Sequence, residues 1–324
     1  MRSVTKIGLA LMVAVSFSGL AFGQAEVDPA VKSYEPVPGI SGNLAGVGSD
    51  TLLNMMTLWM EEFEKLYPNV TSSYIGKGSG TAPPALIEGT SQLGPMSRAM
   101  KDEELDAFEK KFGYKPTQLA VALDCVAVFV HKDNPVKGLT IPQVDCIFSS
   151  TRNSGYRNIE TWGQAGLKDN ADWADVKISL YGRNSVSGTY GFFKKHALLK
   201  GDFKPTVQEQ PGSAAVVNAV ANNLGAIGYS GIGYKTADVR AIPVAPDHET
   251  PLAEPTFENA LDGSYPLGRA LYIYVNKKPN EPLSPLAAEF IKFVLSKEGQ
   301  EVVVKDGFGP LPPKAIEDEL AKIK

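Results

Sequence analysis

The sequence predicts an α/β fold in two lobes, and two observations carry that reading. A unit of short strand, Gly/Ser/Thr turn and helix recurs along the chain, which calls in each lobe for a mixed, mainly parallel sheet flanked by helices. Two long apolar strand runs, Leu119 to Val130 (interrupted by Asp124) and Leu267 to Val275, stand far apart in sequence. Strands so placed can cross together between lobes. Residues 123–265 then form one lobe (II), and residues 43–122 with 266–324 the other (I).

The first residues lie outside the fold. Arg2 and Lys6 precede an apolar stretch, Ile7 to Phe22, and Ala21-Phe22-Gly23 supplies the small residues of a cleavage site, so 1–23 reads as a secretory signal peptide. The stretch is short and carries Ser16, Ser18 and Gly19, which argues against a permanent membrane helix, and no Cys follows it to take a lipid. Loss of Arg2 and Lys6 leaves 30 basic against 36 acidic side chains, a formal charge of −6. An acidic chain without basic runs points away from nucleic acid and anionic membrane.

Residues 24–42 contain several prolines and read as an extended arm. The first unit runs from Leu44-Ala45 into Gly46-Val47-Gly48-Ser49-Asp50-Thr51 and a helix whose apolar face is Leu52, Met55, Met56, Trp59, Met60 and Phe63, a core stripe that stops before Pro68. In the second, Val70 to Ile75 leads to Gly76-Lys77-Gly78-Ser79-Gly80-Thr81 and a helix from Pro83, where a missing N–H costs nothing. A third turn, Gly94-Pro95-Met96-Ser97-Arg98, precedes an acidic helix start at Asp102-Glu103-Glu104.

In the central lobe, Val176 to Tyr181 leads to Arg183-Asn184-Ser185-Val186-Ser187-Gly188-Thr189-Tyr190-Gly191, after which Tyr190, Phe193 and Ala197 recur at helical spacing and Gly201 is the expected stop. Ala226 to Gly231 is a further strand ending in small residues, and the Pro/Glu/Asp-rich stretch 243–264 is a surface excursion. Ser284-Pro285 opens an amphipathic C-terminal helix, and a short second helix follows Gly299.

These turns suit an anion. Backbone N–H groups at the positive end of a helix dipole point outward, hydroxyls add donors, and Arg183 adds a planar fork matched to an oxyanion. For Arg183 to Gly191 alone, an ordinary Ser or Thr helix cap explains the same residues. Enzymatic motifs fit less well. Gly76 to Thr81 lacks the Gly-Lys-Ser/Thr ending of a nucleotide loop, Gly46-Val47-Gly48 lacks the third glycine of a dinucleotide fingerprint, and no Gly-x-Ser-x-Gly elbow surrounds Ser49, Ser79, Ser187 or Ser230. His131, His196 and His248 are scattered, so neither a metal site nor a Ser–His hydrolase is indicated, and no cofactor is called for. Cys125 and Cys146, in an exported chain, allow one disulfide; two unpaired core thiols are the alternative.

Taken together, the segments Gly46–Thr51, Gly76–Thr81, Gly94–Arg98, Arg183–Gly191, Gly225–Tyr229 and Tyr265-Pro266 resemble, in order and spacing across the whole mature chain, the periplasmic phosphate-binding proteins of high-affinity phosphate ABC transporters. The resemblance implies the two-lobed type II periplasmic binding-protein fold, a monomer that closes on a dehydrated phosphate in the periplasm, and delivery to the membrane subunits of an importer without catalysis. Carried over by motif, the ligand set is Ser49, Asp50, Thr51, Ser79 and Ser97 from one lobe and Arg183, Ser187, Gly188 and Thr189 from the other. The chain departs from the pattern in two places. Better-known members carry an Asp in the third turn, which accepts the proton of hydrogen phosphate, where this chain reads Ser97-Arg98; some relatives carry an Asp in place of Ser185. Asp50 is the expected substitute acceptor, because a buried carboxylate takes that proton and repels a fully ionised oxyanion such as sulfate. Arg98 is expected near the site, as a second anion donor or a partner for Asp50. Sulfate, molybdate or an organic phosphate is the alternative ligand, and an exported phosphatase the alternative class.

Overall fold

A computed structural model describes residues 25–324; the expected signal peptide, 1–23, lies outside the described residues. Strand β1 (Gly42–Gly48) pairs in parallel with β2 (Val70–Gly76), and helix α1 (Leu53–Leu66) connects them. A short α2 (Ala82–Glu88), β3 (Gly94–Met96) and α3 (Asp102–Phe112) follow. The long β4 (Thr117–His131) then leads to β5 (Leu139–Thr140), α4 (Ile141–Phe148), β6 (Ser179–Arg183), α5 (Gly188–His196), β7 (Gln208–Gln210), α6 (Ser213–Ala221), β8 (Ala226–Gly231), β9 (Val239–Ile242) and β10 (Val244–Ala245). Last come α7 (Phe257–Leu261), β11 (Gly268–Val275), α8 (Pro285–Val294), α9 (Lys297–Lys305) and α10 (Pro313–Ala321).

The largest sheet runs β3-β11-β4-β8-β6-β7, with β9 also on β4. Four pairings are parallel (β1/β2, β5/β10, β6/β7, β6/β8) and four antiparallel, all of the latter involving β4 or β11. The sheet is therefore mixed, and less parallel than strand–turn–helix alternation predicts, because the two long strands meet head to tail. The first part of β4, Thr117 to Cys125, pairs with β11; the rest, Val126 to His131, pairs with β8 and β9.

Two large apolar clusters lie on either side of that changeover. One joins Trp59, Phe63, Leu119, Val121, Leu271, Ile273, Phe290 and Phe293; the other joins Val126, Val128, Phe148, Trp162, Phe193, Ile227 and Tyr229. Burying each such aliphatic or Phe side chain stabilises by about 1.5–3 kcal/mol. In the second cluster the Phe193 and Tyr229 rings stack at 3.9 Å, which seats α5 on the sheet. The arm before β1 is held at Tyr34, whose hydroxyl meets Tyr67 at 2.5 Å and donates to Glu289 at 2.8 Å.

Several local expectations are corrected. Helix α5 ends at His196, ahead of Gly201, through Leu199 and Lys200 at positive φ. Helix α9 starts before Gly299, and α10, which follows Pro312, was not anticipated. Stretch 243–264 carries β10 and α7. Cys125 and Cys146 form no disulfide: both are buried, the Cys125 thiol donates to Thr256 O at 3.3 Å, and the Cys146 sulfur lies 3.7 Å from Ser154 Oγ. Burial and the neighbouring Asp124 charge push the Cys125 thiol well above its ordinary range.

Asp306, at the end of α9, is also mostly buried. Its Oδ2 has no partner among the described residues, and burial pushes its pKa up to about 7 against the opposing pull of Asn54 and the Met55 N–H. The folded chain thus holds this proton more tightly than the unfolded chain, and the group's contribution to stability falls as pH rises from about 4 through 7. Asp306→Asn is expected to unfold at higher urea than the parent at pH 8, by about 1–3 kcal/mol, with the difference vanishing near pH 4. Parallel unfolding curves at both pH values would contradict this.

Candidate functional site

The turns singled out in the sequence converge where β1, β3 and β6 end. Ser49 Oγ donates to Ser97 Oγ at 2.9 Å, Ser97 N donates to Ser79 Oγ at 3.0 Å, and the Ser79 and Ser97 hydroxyls lie 3.2 Å apart. Thr51 Oγ1 meets Thr189 Oγ1, from the first turn of α5, at 2.9 Å. All five side chains are buried. Gly188 closes the cluster, because a Cβ there would sit 2.2 Å from Ser79 Oγ and 2.6 Å from Ser97 Oγ. Gly78 serves the second turn: its φ of 115° is open to glycine, and a Cβ would lie 2.8 Å from Val186 O. That carbonyl instead accepts from Gly80 N at 3.0 Å, one more bond between the two halves of the site.

Arg183, at the end of β6, is 2% exposed. Its Nη1 donates to Ser213 Oγ at 2.7 Å and lies 3.2 Å from Asp50 Oδ2, while Nε is buried with no partner among the described residues. Burial lowers the Arg183 pKa and the Asp50 charge opposes that shift; a guanidinium stays charged throughout. Asp50 Oδ2 also accepts from Ser213 N at 2.7 Å, at the start of α6. Both contacts fall on Oδ2, and among the described residues Oδ1 takes no hydrogen bond, so it is a spare acceptor in the first turn. Tyr234 donates to Asp50 O at 2.9 Å and fixes this turn from behind.

Of the two readings of Arg183 to Gly191, the structure shows the helix cap at Ser187. It is the N-cap of α5, its Oγ accepting from Tyr190 N at 3.3 Å, and this places Gly188 and Thr189 against the opposite turns.

Arg98 does not reach Asp50. Its fork closes on Glu104 (2.7 and 2.6 Å), whose carboxylate also accepts from Lys101 N at the start of α3. A bidentate partner six residues away, already held by a helix cap, outcompetes the distant turn.

Sequence reasoning missed a second ion pair. Arg269 donates from Nε and Nη2 to Asp124 Oδ2 at 2.9 and 2.7 Å, and both residues are buried. Burial raises the Asp124 pKa and Arg269 opposes the rise. Ser213 and Tyr234 were missed as well. The signal was a charged residue inside each apolar strand run.

The histidines find partners elsewhere: His131 Nδ1 accepts from Asp133 N, His196 stacks on Phe192 and His248 packs against Tyr156. Among the described residues no group of three or more His, Cys, Asp or Glu side chains could hold a metal ion. Chemically, the cluster is a set of preorganised donors with one spare carboxylate oxygen, which suits holding an oxyanion in a dry site.

Comparison with known proteins identifies the family. A model of the PBP superfamily domain matches residues 33–298. A phosphate-binding protein PstS of Pseudomonas aeruginosa is 57% identical over 318 residues, covering 97% of this chain and 98% of that protein. A PstS of Staphylococcus haemolyticus is 31% identical over 88% of this chain and 86% of its own length. The crystal structure described as a phosphate ABC transporter substrate-binding protein of Clostridium perfringens, with bound phosphate, superimposes with a TM-score of 0.69 at 28% identity, covering 84% of this chain and all of that one. The chain belongs to the PBP superfamily and, within it, to the family of PstS phosphate-binding proteins.

Proposed function

We propose that this chain binds inorganic phosphate between two lobes, 43–122 with 266–324 and 123–265, and delivers it outside the cytoplasm to the membrane subunits of an ABC importer. It acts as a monomeric receptor and not as an enzyme. Two observations support the reading: the buried Arg183 Nε takes no partner among the described residues, on a guanidinium anchored by Ser213 Oγ and by Asp50 of the first turn, and hydroxyls from both halves of the chain meet at Thr51 and Thr189. Thr51, Ser79, Ser97, Gly188 N–H and Thr189 supply neutral donors, Arg183 the charge, and Ser49 and Ser187 hold the turns in place. Asp50 Oδ1 accepts the proton that phosphate keeps near neutral pH. Arg98 stays at the rim on Glu104. Local dipoles explain how a chain of net negative charge holds an anion.

Retention of radiolabelled phosphate by the purified chain in equilibrium dialysis tests the reading, and no retention would sink it. The contact at Gly188 gives a sharper arm. Gly188→Ala places a methyl group on Ser79 Oγ and Ser97 Oγ and so wedges the halves apart. Phosphate affinity is expected to fall by about tenfold or more in a variant that still folds, with a stability loss of about 1–3 kcal/mol at most; unchanged affinity would show that the halves need not meet there.

A further inference from the structure

The crossing strands bring their charges together at one rung. Arg269 on β11 and Asp124 on β4 are direct register partners, at the point where β4 leaves β11 for β8. Asp124 Oδ2 takes Nε and Nη2 of the guanidinium, and its Oδ1 accepts from Ile232 N at 3.2 Å, so both carboxylate oxygens have partners. The guanidinium reaches out on two further sides. Nη1 donates to Ser97 O at 2.7 Å, in the third turn, and Nη2 donates to Thr189 Oγ1 at 2.9 Å, in the first turn of α5. The Phe192 ring covers it at 5.3 Å. One side chain on a crossing strand thus touches both halves of the site.

Its chemistry also sets a direction. A guanidinium only donates, so the Thr189 oxygen is the acceptor in that bond and its single hydrogen is left for the sides away from Arg269, where Thr51 Oγ1 lies 2.9 Å off. Without Arg269 the Thr189 hydroxyl would be free to rotate and to present a lone pair to an anion. Because Asp124 balances the charge, Arg269 adds little long-range attraction, and its effect is confined to the assembled site.

We propose that Arg269, held by Asp124, is a positioning residue of the oxyanion site: it latches the two lobes together and fixes the Thr189 hydroxyl as a donor to the bound ion. This rests on the phosphate reading above. It implies that loss of Arg269 shows mainly in dissociation, since the latch forms only after the halves meet.

The test uses the mature chain with inorganic phosphate, followed by calorimetry and stopped-flow fluorescence. Arg269→Gln is expected to weaken binding by about tenfold or more, most of it in the dissociation rate. Thr189→Val is expected to lose affinity too, and the double variant Arg269→Gln/Thr189→Val to lose less than the two single losses combined, because both remove one linked contact. A purely structural role would lower the melting temperature without that non-additivity. Since Arg269→Gln leaves Asp124 buried without its partner, the neutral pair Asp124→Asn/Arg269→Gln is measured beside it, with the same expectation. Affinity within about twofold of the parent in a folded variant, or fully additive losses, would overturn the proposal. If the parent chain fails to bind phosphate, that reading falls by itself. The latch is then judged by small-angle scattering of the unliganded chain, where Arg269→Gln must enlarge the radius of gyration for it to stand.

Discussion

Arg183→Gln is expected to weaken phosphate binding by at least about a hundredfold, the largest single-residue effect in the site. The guanidinium is 2% exposed, so its charge acts on a bound ion with little screening by water, and its Nε is already desolvated and unspent. Gln removes the charge and cannot replace the fork. The fold should tolerate the change better than the function does, because Asp50 retains Ser213 N and its side chain keeps 14% exposure to solvent. Isothermal calorimetry paired with thermal melting checks both halves of the statement. Loss of affinity below about tenfold in a folded variant would move the charge that holds the ion to another residue.

Asp50→Asn is expected to lower the preference for phosphate over sulfate by at least about tenfold, with a fall in phosphate affinity of similar size. The reasoning is one of proton accounting. A carboxylate oxygen accepts from hydrogen phosphate and repels an oxyanion that has no proton to give, whereas an amide nitrogen donates to both. The substitution also removes the charge opposite Arg183, which by itself favours any anion, so the ratio of the two affinities is the decisive readout. Competition titrations with sulfate against phosphate supply it. An unchanged ratio would place the proton acceptor elsewhere.

Much of the fold was legible because its signals are local. The small-residue turns after Val47, Ile75 and Tyr181 each announce a strand end, and the turns at Ser49, Ser79 and Ser187 do converge. The long runs around Leu119 to Val130 and Leu267 to Val275 are the strands that pair across the middle of the molecule. What escaped was set by contacts between distant segments. Asp124 and Arg269 are 145 residues apart, and only the register of β4 against β11 makes them partners. Arg98 sits beside the predicted site in sequence, yet the cap of α3 captures it through Glu104. Asp50 was expected to face an ion; what the structure shows is that its carboxylate ties the first turn to Arg183 and to Ser213 at the start of α6. The cysteines each lie in a recognisable element, and packing, which sequence does not display, keeps them apart.

The central claim is that a site of neutral donors, the buried Arg183 guanidinium and the Asp50 carboxylate selects hydrogen phosphate. Titration of the purified mature chain with phosphate, followed by displacement with arsenate and with sulfate in the same calorimetric cell, tests it directly. The expected result is stoichiometric phosphate binding that arsenate, which keeps a proton and the same shape, displaces and sulfate does not. Displacement by sulfate at concentrations similar to arsenate, or no binding of phosphate at all, would contradict the account.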